Sequence, residues 1–226
     1  MKRIVCPGLW IASGCCSPAT AANQQEEARS LEILFADQSP EEFSAADRQQ
    51  EIDLSIDGCR FALRNEQRLP HHSLQKPYAE HSVFNLALLS TRTDQVVKKP
   101  NKLTTFVSWH TTPEVFRSSF QMAERLFEAG KNARQELDRS DNREKNDSDR
   151  LQALADMSQR VWHDALAGPD GEFLRGNHQI KEAADRKLDP RRTFMPFLGF
   201  GLHLKPDAVA DVIAALDLYK ESYCSP

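Results

Sequence analysis

The run from Ile52 to Leu63 restricts the fold more than any other stretch of the chain. Ile52, Leu54 and Ile56 alternate with polar residues, Asp57-Gly58 offers the positive φ values of a two-residue turn, and Cys59, Phe61 and Leu63 resume the apolar side. This pattern predicts a tight antiparallel hairpin with one buried face. Beyond a polar loop through Pro70 and Pro77, Val83 to Thr91 and Leu103 to His110 are two further runs of strand formers. Four strands in series predict an N-terminal meander.

At Thr112 the period changes from two to about 3.6. Thr112 suits a cap, Pro113 a first helical turn, and Phe116, Phe120, Ala123 and Phe127 recur at helical spacing, with Val115, Met122 and Leu126 widening the stripe. A helix to about Asp138 follows. Leu151, Leu154, Ala155, Val161, Trp162 and Leu166 form a second stripe, stopped by Gly168-Pro169 and Asp170-Gly171, so the two helices predict an antiparallel hairpin with a charged tip. A shorter helix is expected from Gln179 to Leu188, then one buried strand from Thr193 to Leu204. Pro206 opens a last helix whose apolar face is Val209, Val212, Ile213, Leu216 and Tyr219. Near the start, Leu31, Leu34 and Phe35 fit a helix, whereas Leu31, Ile33 and Phe35 alternate like a strand; the helix is preferred. Ser39, Pro40 and Glu42 have the pattern that begins another short helix. The expectation is an α+β fold. Its antiparallel sheet has about five strands and is covered on one face by helices, including the helix hairpin and the C-terminal helix.

Residues 1–21 have the organisation of an export signal. Lys2 and Arg3 precede a mostly apolar stretch from Ile4 to Ala12, and Ser17-Pro18-Ala19-Thr20-Ala21 supplies small residues before Ala22. Cleavage after Ala21 leaves residues 22–226 as one domain. A competing site is Ala12-Ser13-Gly14-Cys15, a lipobox with alanine where leucine is usual, which would place a lipid on Cys15 and anchor the protein to a membrane. No other apolar run approaches the roughly 18 residues needed to cross a bilayer. The formal charge is −4, from 29 basic against 33 acidic side chains, and loss of Lys2 and Arg3 makes it −6. Net attraction to nucleic acid is not expected. With Cys6, Cys15 and Cys16 in the leader, Cys59 and Cys224 remain as a pair that an oxidising compartment can join.

No motif assembles a known catalytic site. Ser73 and Lys76 have SxxK spacing and Ser140-Asp141-Asn142 spells SDN, but no KTG or KSG follows and no GxSxG occurs. An EF-hand is disfavoured because Arg143 replaces the required glycine and Asp149 the bidentate glutamate. Gly199-Phe200-Gly201 lies inside an apolar run, where glycines mark a bulge or close packing rather than a phosphate cradle. Trp109 and Trp162 read as core anchors. Asn146-Asp147-Ser148 is an N-glycosylation pattern for a eukaryotic secretory route.

Histidines are the remaining candidates. His71, His72 and His81 are the first suspects for a metal site, with His110, His163, His178 and His203 able to join them in space. No residue pattern names a cofactor. The sequence therefore favours an exported, non-catalytic envelope or secreted protein, periplasmic in a bacterium, that binds a protein partner or small ligand. Its binding face would be an open sheet lined by Phe61, Phe84, Phe106 and Phe194, or the helix-hairpin surface. The alternative is an exported hydrolase with a histidine-centred or metal-dependent site.

Overall fold

A computed structural model describes residues 18–38, 49–68, 78–101, 103–140, 147–185 and 188–224. The chain opens with helix α1, Pro18–Ala36, and continues through strands β1 (Gln49–Asp57), β2 (Arg60–Arg68) and β3 (Tyr78–Asn85). A short 3-10 turn, Leu86–Leu88, leads to β4 (Val97–Pro100) and β5 (Thr105–His110). Helices α2 (Pro113–Ser140), α3 (Asp147–Ala167) and α4 (Gly171–Gly176) follow, then β6 (His178–Asp185), β7 (Leu188–Pro196), β8 (Gly199–Leu204) and α5 (Val209–Tyr219). One π-helical turn, Lys220–Cys224, closes the described chain.

The fold is α+β, with a five-stranded antiparallel sheet in the order β1-β2-β3-β6-β7 and a second sheet in the order β4-β5-β8. The tight hairpin is present, but its two turn residues are Gly58, at φ 58°, and Cys59, one position later than expected, because Asp57 still pairs with Arg60; Leu54 lies opposite Leu63. Strand alternation sends Ile52, Leu54, Phe61, Leu63 and Phe84 to one face of the large sheet. There they meet α1 through Ala28, Leu31 and Phe35, α5 through Val212, Ile213 and Leu216, and the inner face of the small sheet through Val107, Trp109, Phe200 and Leu202. Phe84 sits at the centre, stacked 4.3 Å from Phe197 and 5.4 Å from Phe200. The opposite face carries α3, where Trp162 lies 5.4 Å from Phe194 and 5.8 Å from His178.

Polar side chains join the two sheets. Strand β8 pairs with β5 on one side only, and its alternate carbonyls point the other way. Gln179 of β6 donates to the Gly199 carbonyl at 3.0 Å, Asn65 of β2 to that of Gly201 at 3.4 Å, and Gln50 of β1 to that of His203 at 2.9 Å. The three amides lie on the core face of the large sheet and are buried. They satisfy an edge that would otherwise be dehydrated without partners.

Four other expectations need correction. Gln179 to Leu188 is not a helix: it contains strand β6 and the start of β7, because β6 is clamped between β3 and β7 and tertiary pairing overrides its Lys, Glu and Ala content. Thr193 to Leu204 is two strands, broken at Phe197-Leu198 so that β7 completes the large sheet and β8 the small one. The strand placed at Val83 to Thr91 runs instead from Tyr78 to Asn85, where the Asn85 side chain accepts from the Ala87 N–H and turns the chain into the 3-10 turn. Strand β4 was not foreseen; its Lys98, Lys99 and Pro100 suit an exposed edge. The short helix expected after Ser39 lies outside the described residues.

Candidate functional site

The sheet face expected to be open does not exist as such. Phe61 and Phe84 are buried beneath α5 and the small sheet, Phe194 is stacked on Trp162, and the edge of the Phe106 ring rests on Gly201. Trp109 and Trp162 are both buried, as core anchors should be.

Ile33, Val97, Leu103 and Leu218 are exposed elsewhere, but among the described residues helix α2 carries three exposed aromatic rings. Its Val115, Ser119, Met122 and Leu126 lie on the shielded side, which packs on α3 and β7. At 3.6 residues per turn, Phe116, Phe120 and Phe127 fall roughly 110° further round the helix. They are 40%, 48% and 70% exposed. Phe116 and Phe120 stack on each other, 6.2 Å between centroids and 18° between planes, without covering either ring. The hydrophobic stripe of α2 is thus wider than its seat. Arg125 fixes the helix against the start of α4 through Asp170, and Arg175 ties α4 to the end of α3 by donating to the Leu166 carbonyl at 2.9 Å. The exposed rings therefore stand on a braced support. Such a row of large apolar side chains on a folded protein is a mark of an interaction surface.

The candidate metal residues are not brought together in what is described. His71 and His72 lie outside the described residues. His81 is on β3, opposite Ile180 of β6. His203 contacts Thr104 at 3.1 Å, and His178 donates from Nδ1 to the Leu174 carbonyl at 2.9 Å beside Trp162. Burial lowers the His178 pKa from its ordinary value, the Leu174 carbonyl opposes that shift, and the Arg60 charge adds to it. His163 is exposed on α3. Among the described residues, no group of three His, Cys, Asp or Glu side chains could hold a metal ion. One serine–histidine pair is of chemical interest: Ser108 and His110 share the outer face of β5, with Oγ and Nε2 3.1 Å apart.

Cys59 and Cys224 form a disulfide, with Cα atoms 5.5 Å apart. The sulfurs join the hairpin turn to the π-helical turn after α5, whose Tyr219 hydroxyl also donates to the Gly58 carbonyl at 3.0 Å. Such a bridge belongs to the chemistry of an oxidising compartment. No described helix is long and apolar enough to cross a membrane. Cys15, Ser73, Lys76, Asp141, Asn142 and Asn146 lie outside the described residues. A groove of about 530 Å³ along α1 is lined by Gln25, Glu26, Arg29, Glu32 and Ile56, but Glu32 is already committed to the Ile56 N–H at 2.8 Å.

No protein-family model, curated protein or solved structure matches the chain.

Proposed function

We propose that this chain is a non-catalytic binding protein of a periplasmic or secreted compartment, and that the exposed face of α2 engages a protein partner. The observation that carries this reading is the row Phe116, Phe120 and Phe127, three large side chains left in water on one braced helix. Full burial of one such ring is worth roughly 1.5–3 kcal/mol, so a partner that covers the row gains its main driving force there.

The Cys59–Cys224 bridge and the basic-then-apolar start of the sequence support that compartment. Cleavage after Ala21 removes only the first turn of α1 and spares Ala28, Leu31 and Phe35, which pack in the core. Lipidation at Cys15 would keep the same domain and add an anchor.

The test places a photo-crosslinking amino acid at position 120 or 127, with position 64 on β2 as a control, in cells producing the exported chain. The expected result is one protein adduct common to positions 120 and 127 and absent from 64. Adducts that do not distinguish the three positions, or none, would remove the reading.

A second reading, an exported serine hydrolase, is favoured by the Ser108 to His110 contact alone. Against it, no carboxylate is hydrogen-bonded to His110 among the described residues. A fluorophosphonate probe that labels Ser108, and fails to label the His110→Ala variant, would support it. An unlabelled Ser108 would end it.

A further inference from the structure

The α2 face also carries information on which partner fits it, and this step rests on the reading of that face as a protein-binding surface. We propose that the occupant is a second copy of this chain, docked antiparallel along α2 about a two-fold axis.

The ground is the distribution of chemistry along the exposed face. At about 100° per residue, Phe116, Phe120, Glu124, Phe127, Lys131 and Arg134 all fall within an arc of roughly 80°. The first half of that arc is aromatic, with Phe116 stacked on Phe120. The second half carries two cations, Lys131 and Arg134, followed by Asp138 at its end, and Phe127 lies between the halves. A parallel copy would set Lys131 against Lys131 and Arg134 against Arg134. An antiparallel copy reverses the order and lays each cationic half over the other's aromatic half.

One register pairs the face from Phe120 to Arg134, and sets Phe116 against Asp138 of the second copy. With Phe127 beside its own counterpart on the axis, Phe120 lies against Arg134 of the second copy, a guanidinium over a ring face. Glu124 lies against Lys131 of the second copy. Both side chains stand on the same flank of the stripe, and an antiparallel two-fold pairing brings like flanks together. Symmetry repeats each contact, so one charge pair and one cation–π contact become two of each. Lys131 now holds Glu128 at 3.2 Å in an exposed i,i+3 pair, which is weak enough to exchange. The stripe from Phe116 to Arg134 is roughly 27 Å long at 1.5 Å per residue. A single helix-on-helix contact of that length is at the small end of specific interfaces, so the dimer should be weak and dependent on concentration.

The test is sedimentation velocity of the full exported chain from low to high micromolar concentration, with thermal unfolding of each variant as a folding control. The wild type should shift from monomer to dimer across the range. Phe127→Glu should abolish the shift while leaving the unfolding temperature unchanged, since the ring is exposed. Lys131→Glu should weaken self-association several-fold, and the double exchange Glu124→Lys with Lys131→Glu should restore it. A wild type that stays monomeric at every concentration overturns the proposal, as does a dimer indifferent to Phe127→Glu or a double exchange that fails to rescue. The crosslink from position 120 separates the two readings. An adduct of twice the chain mass supports both, an adduct of another mass overturns only the self-pairing, and no adduct overturns both.

Discussion

Gln50 and His203 exchange two hydrogen bonds as though they were neighbouring residues of one sheet. The Gln50 amide nitrogen donates to the His203 carbonyl at 2.9 Å, and its Oε1 accepts from the His203 N–H at 3.2 Å. A side chain thus imitates a strand, and with Asn65 and Gln179 it completes the edge of β8 without a further strand being present.

Gln179 should be the costliest of the three to remove. Its Nε2 is within reach of the Gly199 carbonyl at 3.0 Å, Ser82 Oγ at 3.1 Å and the Glu80 carboxylate, the Ser82 contact being fully buried. Gln179→Leu keeps the volume but removes the donor to the Gly199 carbonyl, while Glu80 keeps Lys181 at 3.7 Å. Urea unfolding should register a loss of about 1–3 kcal/mol. A loss below a few tenths would mean that water takes over the role of the amide.

The disulfide should stabilise the domain substantially, because its cysteines are 165 residues apart. The paired substitution Cys59→Ser with Cys224→Ser removes the constraint on the unfolded chain, at a cost of about 2–5 kcal/mol. Melting with and without reductant should give the wild type a lower transition under reduction, and the double variant the same transition in both.

Two glycines should respond oppositely to alanine. A Cβ at Gly130, inside α2, meets no atom within 4 Å, so Gly130→Ala should raise stability by about 0.5–1 kcal/mol through helix propensity. At Gly201 the same Cβ would stand 2.3 Å from Cζ of Phe106. Gly201→Ala must displace that ring and should cost about 1–3 kcal/mol. Chemical denaturation of both variants, side by side, checks the contrast.

Stability should fall as His178 is protonated. Burial is the largest cause of its lowered pKa, so the unfolded chain, at the ordinary value of 6.5, takes up a proton at a pH where the folded chain does not. Above 6.5 both states are neutral and the group contributes no slope. Stability then declines as pH falls from 6.5 through the folded value. Because Nδ1 donates to the Leu174 carbonyl, the added proton goes to Nε2. Unfolding free energies across this range, compared with His178→Phe, should show a shallower decline in the variant, and an NMR titration should place the His178 midpoint below 6.5.

Much of this fold can be read from periodicity, because Ile52 to Leu63, Phe116 to Phe127 and Val209 to Tyr219 each carry an unbroken pattern that agrees with the element they form. The pairing of Cys59 with Cys224 was readable from count alone once the leader was set aside. Strand β6 was not, since Gln179 and Lys181 occupy a core-facing row where apolar residues are expected, and only the proximity of β8 explains a buried amide there. The candidate surface hid for the opposite reason. Phe116, Phe120 and Phe127 look like core in a helical plot, and nothing in the sequence says that α2 is seated on a narrower track than its stripe.

The position of Cys224 also sets an order of events. It follows every strand and every helix in the described chain, whereas its partner sits in the first hairpin turn. During synthesis from the N-terminus, the β1-β2-β3 meander has all its residues long before the second sulfur exists. Oxidation of this pair therefore comes after β8 and α5 are made, and closes the first hairpin onto the last turn of the described chain.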